Sequence, residues 1–146
     1  MDTVRLSMKD LEIRRISASE TWGIRHEVMW PDQAIDYVKL EHDEKGIHLG
    51  LIIKNKIISV ISIFIAEDQA QFRKLATRIE EQGKGFGSML LAFTLEYLKN
   101  KNVKKVWCNA RKDKIAFYQK FNFHETGIQF SRLDKEYIII EKMLLD

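Results

Sequence analysis

Two Ile- and Val-rich runs, Ile47–Ile53 and Lys56–Ile65, meet at a Lys54-Asn55-Lys56 turn. Branching at Cβ suits a pleated strand. Asn tolerates the positive φ that a tight hairpin turn demands. The pair predicts an antiparallel hairpin, around which the rest of the chain must be arranged. The longest apolar run, about ten residues from Ile57 to Ala66, is broken by Ser59 and Ser62 and is too short to cross a bilayer. No membrane partner is expected.

Downstream, Gln69–Thr77 reads as a third strand and Phe86–Asn100 as a strong helix. Apolar positions of that helix, among them Phe86, Leu90, Leu91 and Leu98, cover more than one face, which predicts deep packing. Lys99 and Lys101 at its end suit the helix dipole. Val103–Cys108 reads as a strand, Lys112–Lys120 as a helix, and Asn122–Phe130 and Glu136–Leu145 as closing strands. Upstream, Leu11–Ile16 is followed by a helix over Thr21–Met29 that Ser17 or Ser19 can cap, with Pro31 beyond it. A second short helix is expected over Gln33–Lys39, then a polar loop from His42 to Gly46. A hairpin region leading into strand–helix–strand–helix predicts a mixed sheet of the α/β (α+β) class. No linker or repeat divides the 146 residues, so a single domain over 1–146 is expected.

Composition narrows the class further. Hydrophobic residues at 45% and charged residues at 31% exclude a mostly disordered chain. A net charge of +3 selects no partner by itself, and the aromatic interleaving of a nucleic-acid groove is absent, so no nucleic-acid partner is expected. The single cysteine, Cys108, excludes an internal disulfide and reads as a buried thiol. Four histidines, at 26, 42, 48 and 124, lack metal-ligand spacing, so no metal is expected; His48 reads as a satisfied, half-buried strand residue. Met1 to Asp10 has no apolar core and no small-residue cleavage site, which predicts a cytoplasmic protein.

The chemically informative segment is Gln82-Gly83-Lys84-Gly85-Phe86-Gly87-Ser88, between a strand and the strong helix. Glycines at a helix start leave backbone N–H groups uncovered, the helix dipole adds partial positive charge, and Lys84 adds a full one. That combination makes an anion site suited to phosphate or pyrophosphate. The spacing fails the P-loop pattern, and Ser88 stands where a dinucleotide loop needs its third glycine.

This loop resembles the acetyl-CoA loop of the GNAT N-acetyltransferase superfamily, Gln/Arg-x-x-Gly-x-Gly/Ala. Downstream, Asn109-Ala110-Arg111 and then Ala116-Phe117-Tyr118-Gln119-Lys120-Phe121-Asn122-Phe123 resemble its second motif, Asn-x(several)-Ala-x-x-Phe-Tyr-x-x-x-Gly-Phe. The resemblance spans about residues 47–130. It implies a GNAT-like fold, a mixed, mostly antiparallel twisted sheet flanked by helices. It also implies direct transfer of an acetyl group from acetyl-CoA to a primary amine of a small molecule or peptide, and a possible homodimer by analogy. The amides of Gln82, Gly83, Lys84, Gly85, Phe86, Gly87 and Ser88 would hold the pyrophosphate. The strand edge at Leu75, Ala76 and Thr77 would pair with the pantetheine arm, and a backbone N–H there would polarise the thioester carbonyl. Asn109 would contact the pantetheine, and Tyr118 would be the acid that protonates the departing thiolate.

Two departures stand out. Asn122 replaces the usual Gly, a substitution that Asn's tolerance of positive φ permits. Arg73 or Lys74 occupies the strand position where some members carry a Glu base, so no base transfers. Glu67, Asp68, and through water Glu27 or His26, are the candidates. The segment from Trp22 to Pro31 is expected on the acceptor side, with Trp22 and Trp30 as core or rim residues. Two other readings remain open at this stage: a non-catalytic acyl-CoA-binding module of the same fold, and a nucleotide-binding protein.

Overall fold

The predicted hairpin forms as β3 (Ile47–Ile53) and β4 (Lys56–Ala66), antiparallel, with Leu49 opposite Ile61 and Ile53 opposite Lys56. Lys54 and Asn55 both take positive φ, 51° and 66°, the turn geometry whose twist matches the flanking strands. Residues 48–52 and 58–63 are all buried, so both strands are covered on both faces.

The structure, a computed structural model, describes residues 3–5 and 10–144. Besides the hairpin it contains β1 (Thr3–Arg5), β2 (Leu11–Ile16), α1 (Ala18–Met29), β5 (Gln69–Thr77), α2 (Phe86–Asn100), β6 (Lys105–Arg111), α3 (Ile115–Gln119), β7 (His124–Arg132) and β8 (Lys135–Met143). Short 3-10 turns cover Ile35–Val38, Asp43–Lys45, Ile79–Glu81 and Lys112–Lys114. The strands hydrogen-bond in the order β1-β2-β3-β4-β5-β6-β8-β7. The chain divides by contact into two compact units, residues 1–64 with 74–94 and residues 65–73 with 95–146.

In the first unit β1, β2, β3 and β4 pair antiparallel in succession. Ile16, Ile24, Ile52, Val60 and Ala76 form a buried cluster, with Val28, Met29 and Ile57 packed against it. Ser17 starts α1 by a capping box: its hydroxyl accepts from the Glu20 amide while the Glu20 carboxylate accepts from the Ser17 amide at 2.8 Å. The Ser17 amide holds that carboxyl below its ordinary pKa. Of the two predicted caps the chain uses Ser17, and α1 begins three residues earlier than expected, at Ala18.

In the second unit β5 runs parallel to β6 only over Gln69–Gln71 opposite Lys105–Trp107. β6 then pairs antiparallel with β8, and β8 with β7. Ala70, Phe72, Val106, Cys108, Ala110, Phe123, Ile138 and Ile140 are buried there.

Several boundaries differ from the sequence expectation. β6 begins later and runs on to Arg111, so Asn109 lies inside it. The predicted helix over Lys112–Lys120 is a 3-10 turn followed by one α-helical turn. The helix expected over Gln33–Lys39 is a 3-10 turn of four residues. The polar loop at His42–Gly46 is another 3-10 turn, and its Asp43 is buried because Arg25 of α1 pairs with it. Asn122 takes φ 66°, as its role in place of Gly requires.

Candidate active site

The first unit carries the glycine loop. Gly83 and Gly85 sit at φ +80° and +87°, conformations that L side chains rarely adopt. A Cβ at either would meet nothing within 4 Å, so the backbone lies open on that side. Residues 82–85 are all exposed. The first helical bond of α2 runs from the Met89 amide to the Gly85 carbonyl, 3.0 Å. The amides before Met89 have no partner in the helix, and no acidic residue stands in its first turn. Amides without a partner in the helix, together with the helix dipole, polarise this helix start positively. Gly87 is different: a Cβ there would stand 3.3 Å from Thr77 Oγ1, a tight contact that a larger residue could make only if the Thr77 side chain gave way by a few tenths of an ångström. Lys84 is less free than the sequence suggests, because its ammonium pairs with Glu81 at 3.0 Å.

The strand end before the loop is stitched by side chains. Buried Ser59 of β4 donates to the Ala76 carbonyl at 3.0 Å, leaving its oxygen to accept from the Thr77 hydroxyl at 2.9 Å. Gln82 Nε2 donates to the Thr77 carbonyl at 3.0 Å. Leu75 and Thr77 are half-buried and Ala76 is buried. Just before them Lys74 takes φ 59°, a left-handed kink inside β5.

The second unit carries Asn109 and Tyr118. Asn109 is exposed in β6 between buried Cys108 and Ala110, two residues past Trp107, where the pairing with β5 ends. Tyr118, on α3, packs its ring against Phe72 and Phe123, with centroids 5.8 and 5.9 Å away. Burial, together with the neighbouring Cys108 thiol, pushes its hydroxyl above the ordinary tyrosine pKa, so it stays protonated at neutral pH. Burial also raises the Cys108 thiol, which is 3% exposed. It is therefore an inert core thiol at neutral pH.

The candidate bases take other work. Glu27 accepts from Arg78 Nη1 with one oxygen and from the Ile79 amide with the other, each at 3.0 Å. His26 Nε2 lies 2.6 Å from the Gln33 carbonyl. Glu67 sits at φ 59° in the β4–β5 turn, and Asp68 lies 3.9 Å from Lys104 Nζ. His48 is buried, between Ser62 Oγ at 2.7 Å and the Asp43 carbonyl at 2.8 Å, a satisfied core histidine. Among the described residues no group of three His, Cys, Asp or Glu is placed to hold a metal ion, and no helix is long and apolar enough to cross a membrane. Sequence reasoning missed Ser59 and Arg78, which join the site through contacts with no local signature.

A family model described as the acetyltransferase (GNAT) family matches residues 11–123. The chain belongs to this family. It is an N-acetyltransferase by class. Over 129 residues it is 32% identical to the uncharacterized N-acetyltransferase YitI of Bacillus subtilis, covering 82% of this chain and 87% of that one. It is 31% identical over 106 residues to the ribosomal protein bS18-alanine N-acetyltransferase of Haemophilus influenzae, covering 71% and 70%. Its fold matches the crystal structure of a putative N-acetyltransferase from Lactobacillus plantarum, with a TM-score of 0.83 at 18% identity over 94% of this chain and all of the other. Solved GNAT structures of this fold include complexes with coenzyme A. The mixed, mostly antiparallel sheet flanked by helices is thus the GNAT architecture.

Proposed function

We propose that this GNAT enzyme transfers an acetyl group from acetyl-CoA directly to a primary amine of a small molecule or peptide. The observation that carries the reading is the start of α2, where Gly83 and Gly85 take positive φ with open space beside them and no acidic residue stands in the first turn. A pyrophosphate is the ligand such a helix start favours. In this reading the backbone of Gln82–Ser88 holds the pyrophosphate, Leu75–Thr77 pairs with the pantetheine arm, and Asn109 contacts it. The proposed domain is the whole chain, 1–146, since β5 and α2 each run through both units. The cytoplasm is the proposed compartment, a reducing one that suits an unpaired thiol.

Transfer needs the amine nitrogen to attack the thioester carbon and the C–S bond to break. The departing thiolate then needs a proton. We take Tyr118 as the donor: its hydroxyl is protonated at neutral pH, and the proton that the nitrogen loses on acylation, passed on through solvent, restores the phenol, so the transfer consumes no net proton. Tyr118→Phe keeps the ring contacts with Phe72 and Phe123 and removes the proton. It is expected to lower kcat roughly 100-fold while acetyl-CoA affinity stays as in wild type. Steady-state kinetics beside equilibrium binding checks this, and an unchanged kcat would remove Tyr118 from the reaction.

The reading itself is tested by incubating the protein with acetyl-CoA and two acceptor classes. One is a set of peptides with free N-terminal amines, alanine first among them, since one relative is named for that substrate. The other is a panel of small primary amines. Thiol release that depends on the acceptor, with acetylated product seen by mass spectrometry, supports the proposal. Binding of acetyl-CoA without transfer to either class would favour a non-catalytic acyl-CoA module.

A further inference from the structure

We infer that Glu27 of α1 is a positioning residue that presets the approach to the glycine loop; the inference rests on the proposed reading of that loop. The loop is entered through Arg78 and the 3-10 turn Ile79–Glu81. Arg78 is fixed to β4 twice, by its amide to the Ile58 carbonyl at 2.9 Å and by Nε to the Ile57 carbonyl at 2.7 Å. Its remaining reach, through Nη1, goes to Glu27 Oε1. The other Glu27 oxygen accepts from the Ile79 amide, the first N–H of the 3-10 turn. The residue that precedes this turn provides no side-chain cap of its own. Glu27 therefore caps, from another element, the turn that delivers Gln82 and Gly83.

The geometry needs a carboxylate. Each of its oxygens faces a donor, one on Arg78 and one on Ile79. A glutamine offers one oxygen, and its NH2 group would oppose either the guanidinium or the amide, whichever way it turned. Half-buried side chains make this opposition cost more than at the open surface. The consequence is a loop held ready for its ligand, so that little ordering remains to be done on binding.

Coenzyme A binding is measured by isothermal titration on wild type, Glu27→Gln, Glu27→Ala, Arg78→Gln and the Glu27→Gln/Arg78→Gln pair, with circular dichroism and melting on each. Both Glu27 variants are expected to keep their fold and to bind coenzyme A about tenfold more weakly. KM for acetyl-CoA rises to match while kcat holds, and the pair loses less than the sum of its single variants, since the Arg78–Glu27 contact is shared between them. If Glu27→Ala does not fold, Glu27→Gln alone decides. Wild-type affinity in a folded Glu27→Gln overturns the inference and leaves the proposed function standing. So does a fall in kcat with affinity kept and a shifted pH profile, which would make Glu27 the base. Absence of coenzyme A binding by wild type overturns the proposed function itself.

Discussion

Asp43→Ala is expected to destabilise the protein by about 3–5 kcal/mol, because it leaves the Arg25 guanidinium charged and uncompensated in the core. Arg25 and Asp43 are 0% and 3% exposed. They meet through two bonds, Nη1 to Oδ2 at 2.8 Å and Nη2 to Oδ1 at 2.9 Å. Arg25 also donates to the Val38 carbonyl and to Ser62, and Asp43 accepts from Trp22 and from the Leu40 amide. One buried pair thus ties α1, the 35–45 segment and β4 together. A loss of this size lowers Tm on the order of 10 °C in a chain this long. The double variant Arg25→Met/Asp43→Leu is expected to regain most of it, since it removes both charges at once. A Tm for Asp43→Ala within a degree or two of wild type would contradict this.

The same pair sets an acid limit. Burial alone would raise the Asp43 carboxyl, but the donors from Arg25, Leu40 and Trp22 outweigh it and hold the group down at about 2. A carboxyl lowered from 3.8 contributes stability that is present above that value and lost as pH falls through about 2. The contribution is about 2 kcal/mol. Denaturant melts between pH 5 and pH 2 are expected to show wild type losing this increment, while the Arg25→Met/Asp43→Leu variant does not lose it.

Gly85→Glu is expected to abolish stabilisation by acetyl-CoA. Gly85 sits at φ +87° with open space where a side chain would stand. A glutamate there places a carboxylate in the volume the pyrophosphate would occupy. Ligand at about a hundred times its Kd contributes roughly 2.7 kcal/mol, which a thermal melt reads easily. The variant protein without ligand should lose only about 1–2 kcal/mol, the cost of a left-handed residue other than glycine. Gly85→Asn separates the terms, because Asn accepts positive φ and brings no charge. Its unliganded Tm is expected near wild type, with ligand stabilisation reduced. A full acetyl-CoA shift in Gly85→Glu would move the cofactor away from this loop.

Legibility in the sequence followed the range of the interactions. The β3–β4 hairpin was readable because its turn is set by two adjacent residues, Lys54 and Asn55. The positive-φ glycine turn was readable because its glycines and the start of α2 lie within seven residues. β5 and α2 have the bounds their apolar patterns predict. Asp43 was read as a loop charge because the residue that buries it, Arg25, lies 18 positions away. Glu27 invited reading as a base because Arg78 and the Ile79 amide, 51 and 52 positions on, leave no mark near it. The apolar pattern puts the start of β6 at Val103, which is buried like a strand residue, while the ladder starts at Lys105. β1, Thr3–Arg5, has no signature in the sequence, because it is three residues long and is defined by its pairing with β2.

The claim on which the rest depends is that the glycine loop is built for coenzyme A. Equilibrium titration of the wild-type protein with acetyl-CoA, coenzyme A, ATP and NAD tests it in one series. The account predicts saturable binding of acetyl-CoA and coenzyme A at one site per chain, each displacing the other, with no displacement by NAD or ATP at matched concentration. Binding of ATP or NAD in the absence of any acetyl-CoA or coenzyme A binding would contradict it and make the loop a nucleotide site.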